Sequence, residues 1–307
     1  MLIPERLQKT VTRVFGNRGC DWLGGAADVA EKAIEHWQLT DVSISPVLSH
    51  NLVCFAVSPV YGEVALKMGV PHDELFREMA TLRIYDGRLA CRMHDCDRDM
   101  AAMILERIIP GTDLWQLEDR SARIRVAGNL LRTMPVVAHC VPGIPLHREV
   151  VQRTFARIMS LPGPDEAMLQ LMRAAEEAER RLYAEEATCD MLLHGDLNHW
   201  NILRQGTDQW RVIDPQGFVG PAVLDAGRFI LNEMTYGESP CREGDLPGLI
   251  TALADASGLS IRDVWRSALI DAVLSTCWHF EDGTGKEKTD RHIQTGTSIV
   301  RAGEDIF

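Results

Sequence analysis

The stretch His194-Gly195-Asp196-Leu197-Asn198-His199-Trp200-Asn201 decides how this chain is read. Its informative feature is a carboxylate and an amide five positions apart, Asp196 and Asn201. Transfer of a phosphoryl group to a hydroxyl needs both functions close together. The carboxylate orients the hydroxyl in line with the γ-phosphorus and accepts its proton. The amide oxygen helps hold magnesium on the phosphates without blocking that approach. Downstream, Asp214 follows the apolar-flanked strand Trp210-Arg211-Val212-Ile213 and precedes Pro215-Gln216-Gly217. A carboxylate at a strand end is rigidly held, so Asp214 is the expected second magnesium ligand. The turn signal Gly206-Thr207-Asp208 pairs the Ile202–Leu203 segment with the strand ending at Asp214, and both loops then point to one end of a small hairpin. Taken singly, His-Gly-Asp also reads as an Asx-type turn and Asp214-Pro215 as a strand-end turn. Their order and spacing together favour the catalytic reading. His194 is expected to be a structural hydrogen-bonding residue rather than a general base. His199 is expected either to contact substrate or to be solvated.

Working upstream, Lys67 sits in Val64-Ala65-Leu66-Lys67, where the protein-kinase arrangement has a third-strand lysine that pairs with ATP phosphates. Glu78, in the next helical pattern, is its expected partner, with Glu74 one turn away as the alternative. The Gly-x-Gly-x-x-Gly phosphate loop is missing. Ser45-Pro46-Val47-Leu48-Ser49-His50-Asn51 stands in its place, where backbone amides or Ser49 would cradle phosphate. This departure points away from a protein kinase and towards a small-molecule kinase. Ile104-Leu105-Glu106-Arg107-Ile108 leads into Pro110-Gly111, and backbone groups around Glu106 and Ile108 are the expected readers of adenine.

Hydrophobic periodicity fills in the frame. Residues 3–40 read as mostly helical, with Ala26, Val29, Ala30, Ala33, Ile34 and Trp37 forming a stripe and Gly24-Gly25 preceding the helix. Strands are expected at 42–47, 51–58, 63–68, 90–93 and 101–108, with one helix after Pro71 and Asp73 and a polar segment at 94–99. After Pro110 the chain turns helical, at 117–134, 146–159, 165–186 and about 261–280, and the tail from Glu281 reads as polar and partly disordered. The fold class is α+β and bilobal: a helical segment 1–40, a β-rich nucleotide-binding N-lobe 41–110, and a helical catalytic and substrate-binding C-lobe 111–307. A cleft between the lobes is the expected small-molecule site.

The chain has 307 residues, 46% hydrophobic and 25% charged, which suits a soluble globular protein of one large or two modest domains. The N-terminus lacks a basic segment followed by an apolar run, and no apolar stretch is long enough for a membrane span, so the cytoplasm is the expected location. The net charge of −12 argues against nucleic-acid binding and is compatible with a cationic partner. Eight scattered cysteines are expected to be reduced. Cys91 and Cys96 with His94 between them lie at the edge of zinc-ligand spacing, without a second pair nearby.

These residues resemble the aminoglycoside phosphotransferase family, over about residues 40–280. The match is carried by His194-Gly195-Asp196-Leu197 with Asn201, and by Ile213-Asp214-Pro215. The resemblance implies a protein-kinase-like fold, ATP and magnesium as cofactors, Asp196 as catalytic base, and Asn201 and Asp214 as magnesium ligands. It also implies that Asp225, in Gly220-Pro221-Ala222-Val223-Leu224-Asp225, braces the catalytic loop, its plain alternative being a helix N-cap. Ile3-Pro4-Glu5-Arg6-Leu7, Trp22-Leu23, Trp37 with Leu39, and Leu274-Ser275-Thr276-Cys277-Trp278 are similar to the streptomycin 6-phosphotransferase and hydroxyurea phosphotransferase group. His199-Trp200 and Gln216-Gly217 depart from the commoner family pattern, which leaves the acceptor open. The resemblance implies phosphorylation of streptomycin at its 6-hydroxyl, which would inactivate the antibiotic. Asp271, Glu281 and Asp282 are candidate acids for its guanidinium groups, and Trp278 a candidate stacking partner. Each also reads as an ordinary surface acid or core tryptophan. A metabolic kinase for a sugar or amino alcohol, and a nucleotide-binding pseudokinase, are the alternatives. The oligomeric state is open.

Overall fold

The computed structural model describes residues 1–138, 141–185, 190–237, 240–283 and 285–307. The chain forms two compact units. One contains Met1–Gly111 and Arg204–Ile213, and the other Thr112–Leu203 and Asp214–Phe307.

In the first unit, α1 (Glu5–Phe15) and α2 (Asn17–His36) are separated at Gly16. Leu7 and Val11 on α1 and Ala26, Ala30 and Ala33 on α2 recur at helical spacing and are buried. They share a core with one face of a five-stranded antiparallel sheet. Its strands are β1 (Thr40–Ile44), β2 (Leu52–Ser58), β3 (Gly62–Met68), β4 (Met93–Asp97) and β5 (Ala102–Glu106), in the order β1-β2-β3-β5-β4. Side chains alternate across a strand. Leu52, Cys54 and Ala56 of β2 and Val64, Leu66 and Met68 of β3 therefore face the helices. Lys67 points to the opposite face, towards α3 (Asp73–Tyr85).

Two local expectations are corrected here. Gly24 and Gly25 lie inside α2 rather than before it, because the surrounding alanines and the buried stripe carry the helix through them. The fourth strand is β4 at Met93–Asp97, not 90–93, so the polar segment is itself ladder. Its backbone pairs with β5 from Asp95 to Asp97, whatever the polarity of its exposed side chains. Cys91 is buried, His94 stacks on the Tyr61 ring at 4.6 Å, and Cys96 Sγ accepts from Arg83. Among the described residues no group of three or more His, Cys, Asp or Glu could hold a metal ion.

β6 (Pro110–Asp113) follows. The second unit then contains α4 (Arg120–Thr133), β7 (Val136–Val137), α5 (His147–Ser160), α6 (Glu166–Glu185) and β8 (Met191–Leu193). The hairpin of β9 (Ile202–Gln205) and β10 (Gln209–Val212) comes next, and its residues from Arg204 to Ile213 belong to the first unit. There Gly206 N–H donates to Ile109 O at 2.7 Å, and Val212 exchanges backbone bonds with Leu89 and Cys91. β11 (Phe218–Gly220), α7 (Asp225–Thr235), α8 (Leu246–Ser257), α9 (Ile261–Glu281) and α10 (Lys286–Ile306) complete the second unit. β8 lies between β7 and β11 in an antiparallel sheet. α9 is buried along most of its length, with α5, α6, α7, α8 and α10 packed around it.

The tail corrects a further expectation: 286–306 is helix. α10 buries Gly296, Ile299, Ala302 and Gly303, a face of mostly small residues that carries little hydrophobic signal. Trp265 Nε1 donates to Ile299 O at 2.7 Å, and a Cβ at Gly303 would stand 2.5 Å from the Trp265 ring. Among the described residues, no helix is long and apolar enough to cross a membrane.

Candidate active site

In the second unit, β8 delivers the chain into His194-Gly195-Asp196, and β11 receives it after Asp214-Pro215-Gln216-Gly217. Phe218 pairs with Leu193, and the N–H groups of Gln216 and Gly217 donate to His194 O at 2.8 and 3.2 Å. The segments carrying Asp196 and Asp214 are thus fastened to each other through the His194 carbonyl. Gly195 has φ +79, and a Cβ there would lie 2.5 Å from the Phe218 ring. No other residue fits that turn without displacing the strand.

Asp225 opens α7 and is almost fully buried. Its Oδ2 accepts the His194 N–H at 2.8 Å and its Oδ1 accepts the Gly195 N–H at 2.7 Å. Burial pushes its carboxyl above the ordinary value, opposed by the nearby His194 and by those two backbone donors. His194 is also buried, and its Nδ1 accepts the Asp196 N–H at 3.3 Å, which places its ring proton on Nε2.

Asn198 supplies a tie that the sequence reading does not assign. Its Oδ1 accepts the N–H groups of Trp200 and Asn201, at 2.9 and 3.0 Å, and its Nδ2 donates to Asp196 Oδ2 at 2.9 Å. Asn201 Nδ2 donates to the same oxygen at 3.1 Å and to Asp196 O at 3.0 Å. Asp196 Oδ2 therefore carries two amide donors. The Asn201 amide nitrogen faces Asp196, and its Oδ1 is the atom suited to a cation. Asp214 lies half-buried at φ +57, a left-handed conformation uncommon outside glycine.

Arg228 and Asp271 also reach this centre. Arg228 Nε lies 3.3 Å from Asp196 Oδ1, and Arg228 Nη2 lies 3.0 Å from Asp271 Oδ1. Burial disfavours the Arg228 charge, but Asp271 and Asp196 outweigh it and raise its pKa. Burial raises the Asp271 carboxyl against the pull of Arg228. Asp271 is thus an interior ion-pair partner and not the surface acid or open substrate contact expected from sequence. Trp278 faces a guanidinium, but it is the chain's own: Arg228 Cζ lies 5.9 Å from its ring centroid. Glu281 is held by Arg157 at 2.5 Å, and Asp282 is exposed at the end of α9.

His199 is neither solvated nor open to substrate. It is fully buried, stacked between Trp115 at 3.9 Å and Phe229 at 4.5 Å, with Nε2 2.8 Å from Glu233 Oε1. Burial lowers its pKa, against the pull of Glu233. Glu233 is buried too and takes Arg123 Nε and Nη2 at 2.6 and 2.9 Å, with Arg120 at 3.1 Å. Burial alone would raise its carboxyl, but the Arg123 and His199 bonds hold it at about 2. The second half of the 194–201 stretch is therefore pinned from inside. Glu233 lies 34 positions from His199 with no motif around it, so nothing in the sequence points to this pairing.

In the first unit, Lys67 Nζ lies 2.7 Å from both carboxylate oxygens of Glu78, and both residues are buried. Glu74 instead lies 3.7 Å from His72 Nε2. A bidentate buried pair fixes the ammonium rigidly at the end of β3. Ser49 is exposed in the loop between β1 and β2. Glu106 is committed to structure: its carboxylate accepts from Gln205 Nε2 at 2.7 Å and Arg92 N–H at 3.1 Å, and its own N–H donates to Arg92 O. Of the backbone groups around Glu106 and Ile108 expected to read adenine, the Glu106 N–H is therefore already engaged. Ile108 is buried.

Comparison with known proteins bears on this geometry. A family model described as aminoglycoside/hydroxyurea antibiotic resistance kinase matches residues 36–283. A hydroxyurea phosphotransferase of Kitasatospora aureofaciens is 29% identical over 290 residues, covering 92% of this chain and 81% of that protein. A streptomycin 6-kinase of Streptomyces glaucescens is 25% identical over 246 residues, covering 73% and 72%. Among solved structures, the choline kinase LicA from Streptococcus pneumoniae superposes with a TM-score of 0.62 at 13% identity, over 90% of this chain and 98% of that one. The aminoglycoside phosphotransferase APH(4)-Ia superposes with a TM-score of 0.60 at 14% identity, over 89% and 98%. These likenesses establish a kinase-like fold.

Proposed function

The chain belongs to the aminoglycoside/hydroxyurea antibiotic resistance kinase family, and from that premise we propose that it transfers the γ-phosphoryl group of ATP to the 6-hydroxyl of streptomycin. The observation that carries this reading is the anchoring of Asp196: Asn198 and Asn201 hold one carboxylate oxygen while Asp225 fixes the backbone before it. A carboxylate so fixed can orient an acceptor hydroxyl and take its proton as the oxygen attacks phosphorus. Lys67, held by Glu78, offers a positive charge to the nucleotide phosphates, with the Ser49 loop as a further cradle and the region of Ile108 as the adenine side.

The donor chemistry suits magnesium. Asn201 and Asp214 present hard oxygens, and magnesium takes one or two protein oxygens with the rest from phosphate and water. Bound there, it would supply charge neutralisation to the phosphates. Asn201 Nδ2 and Asn198 Nδ2 meanwhile keep Asp196 oriented without it.

A streptomycin 6-kinase among the relatives supports this acceptor, and the net charge of −12 favours a cation over an anion. The hydroxyurea phosphotransferase match extends over 92% of the chain, which favours hydroxyurea as the second acceptor. The test is magnesium-ATP consumption with streptomycin, hydroxyurea, choline and simple sugars, followed by location of the phosphate in the product. Streptomycin 6-phosphate is the expected product. Turnover of another member of the panel without streptomycin would remove the acceptor assignment. Nucleotide binding with no turnover on any of them would remove the enzymatic reading of the site.

A further inference from the structure

Asp225 and Arg228 stand three residues apart on α7 and so share a face. That face meets three consecutive residues of the catalytic stretch. Asp225 takes the N–H groups of His194 and Gly195, and Arg228 reaches the side chain of Asp196. The guanidinium is shared between two acids. One terminal nitrogen lies 3.0 Å from Asp271 on α9, while Nε lies 3.3 Å from Asp196 Oδ1 and makes no hydrogen bond. All three side chains are largely buried, with side-chain exposures of 16% for Arg228, 14% for Asp271 and 25% for Asp196.

The two oxygens of Asp196 consequently differ. Oδ2 is occupied by the amides of Asn198 and Asn201. Oδ1 faces a positive charge that holds it electrostatically but leaves its lone pairs open to a hydroxyl. A guanidinium free to rotate would form the stronger two-bond fork with a carboxylate. Asp271 holds Arg228 short of that arrangement. The close approach of α7 to α9 makes this possible: a Cβ on Gly227 would lie 2.4 Å from Ser267 O and 2.9 Å from Asp271 Cβ.

Resting on the reading of Asp196 as the proton acceptor, we infer that Arg228 is a positioning residue for that carboxylate, and that Asp271 restrains it so that Oδ1 stays open to the acceptor hydroxyl. The pair thus selects which oxygen of Asp196 works.

The test compares R228M, R228A, D271N, R228M/D271N and D196N with the parent, using magnesium-ATP with streptomycin and with hydroxyurea, and measuring nucleotide affinity and thermal midpoint alongside. Loss of orientation lowers kcat in R228M by about 100-fold, with nucleotide affinity unchanged within about threefold. R228M leaves Asp271 as a buried unpaired acid and lowers the thermal midpoint. R228M/D271N removes both charges and restores much of the midpoint, yet its kcat stays at the R228M level. D271N lets Arg228 close on Asp196 and lowers kcat by itself. R228A recovers turnover with added guanidinium but not with urea, which has a similar planar shape and no charge. A double variant that regains turnover along with its midpoint would overturn the inference, because Arg228 would then serve only the fold. Normal kcat in R228M beside an inactive D196N would overturn it while sparing the base reading. An active D196N, or a parent that turns over neither these two acceptors nor choline nor simple sugars, would remove the base reading and the inference with it.

Discussion

Glu233 is a single carboxylate gripping Nε and Nη2 of Arg123, Nε of Arg120 and the ring of His199. Removing its charge while keeping its shape leaves Arg123 buried against a neutral amide. E233Q is expected to lower unfolding free energy by about 3–5 kcal/mol, read as a fall in the urea midpoint at constant slope. A change below about 1 kcal/mol, as at an exposed pair, would show that the cluster does not brace the loop. At this scale the sequence is uneven. Asp196, Asn201 and Asp214 stand out in the sequence because the spacing expected for phosphoryl transfer is local, and the structure fastens the segments that carry them through the His194 carbonyl. Asn198 is hidden inside the same stretch, where an Asn reads simply as a turn residue. Arg228, Asp271 and Glu233 act on residues 30 or more positions away, and ion pairs of that range leave no periodic trace. His199 shows the opposite difficulty. A histidine beside Asn198 and Trp200 looks exposed until Trp115 and Phe229 are seen closing on its two faces.

Among elements, α7 does the most positioning, since its first turns carry Asp225, Gly227 and Arg228. Its distance from α9 is set at Gly227, where even a methyl group would collide with backbone of Ser267. G227A should therefore cost about 1–3 kcal/mol, as overpacking typically does, and should lower kcat as well by moving Arg228. Paired thermal scans and steady-state rates would check this; unchanged values in both would show that α7 can slide freely. The long helix α6 is legible because an apolar stripe repeats through it, and α9 because its mostly apolar run is too long for a strand. α10 is not, since Gly296, Ala302 and Gly303 bury by smallness rather than by hydrophobicity. β4 is misplaced for a related reason: Ala90, Cys91 and Met93 suggest a strand by their side chains, whereas the ladder follows backbone pairing with β5.

For the molecule as a whole, buried ionisable groups set the response to acid. Desolvation lowers the pKa of His199, and it holds His292 at about 4 with help from His279. The unfolded chain takes up protons at these histidines below about 6.5, where the folded chain resists them. Stability should therefore fall as pH drops from about 6.5, for His292 until about 4. Glu233 is depressed to about 2, so its contribution is present above 4.5 and is lost between 4.5 and about 2. Thermal midpoints across pH 7 to 3 should decline in both stages, and E233Q should flatten the lower one. An unchanged slope below 4.5 in that variant would remove Glu233 as its source.

The hairpin from Arg204 to Ile213 carries one more consequence. It belongs with Met1–Gly111, although the residues on either side of it belong to the other unit. A ribosome makes this protein from one end, and domains commonly fold as they emerge. Here the earlier unit cannot be finished early. Leu89, Cys91 and Ile109 must wait for Val212 and Gly206, whose arrival requires that α4, α5 and α6 have already been synthesised. The order of synthesis and the order of completion are thus interleaved, and a nascent chain halted before Ile213 would hold neither unit whole.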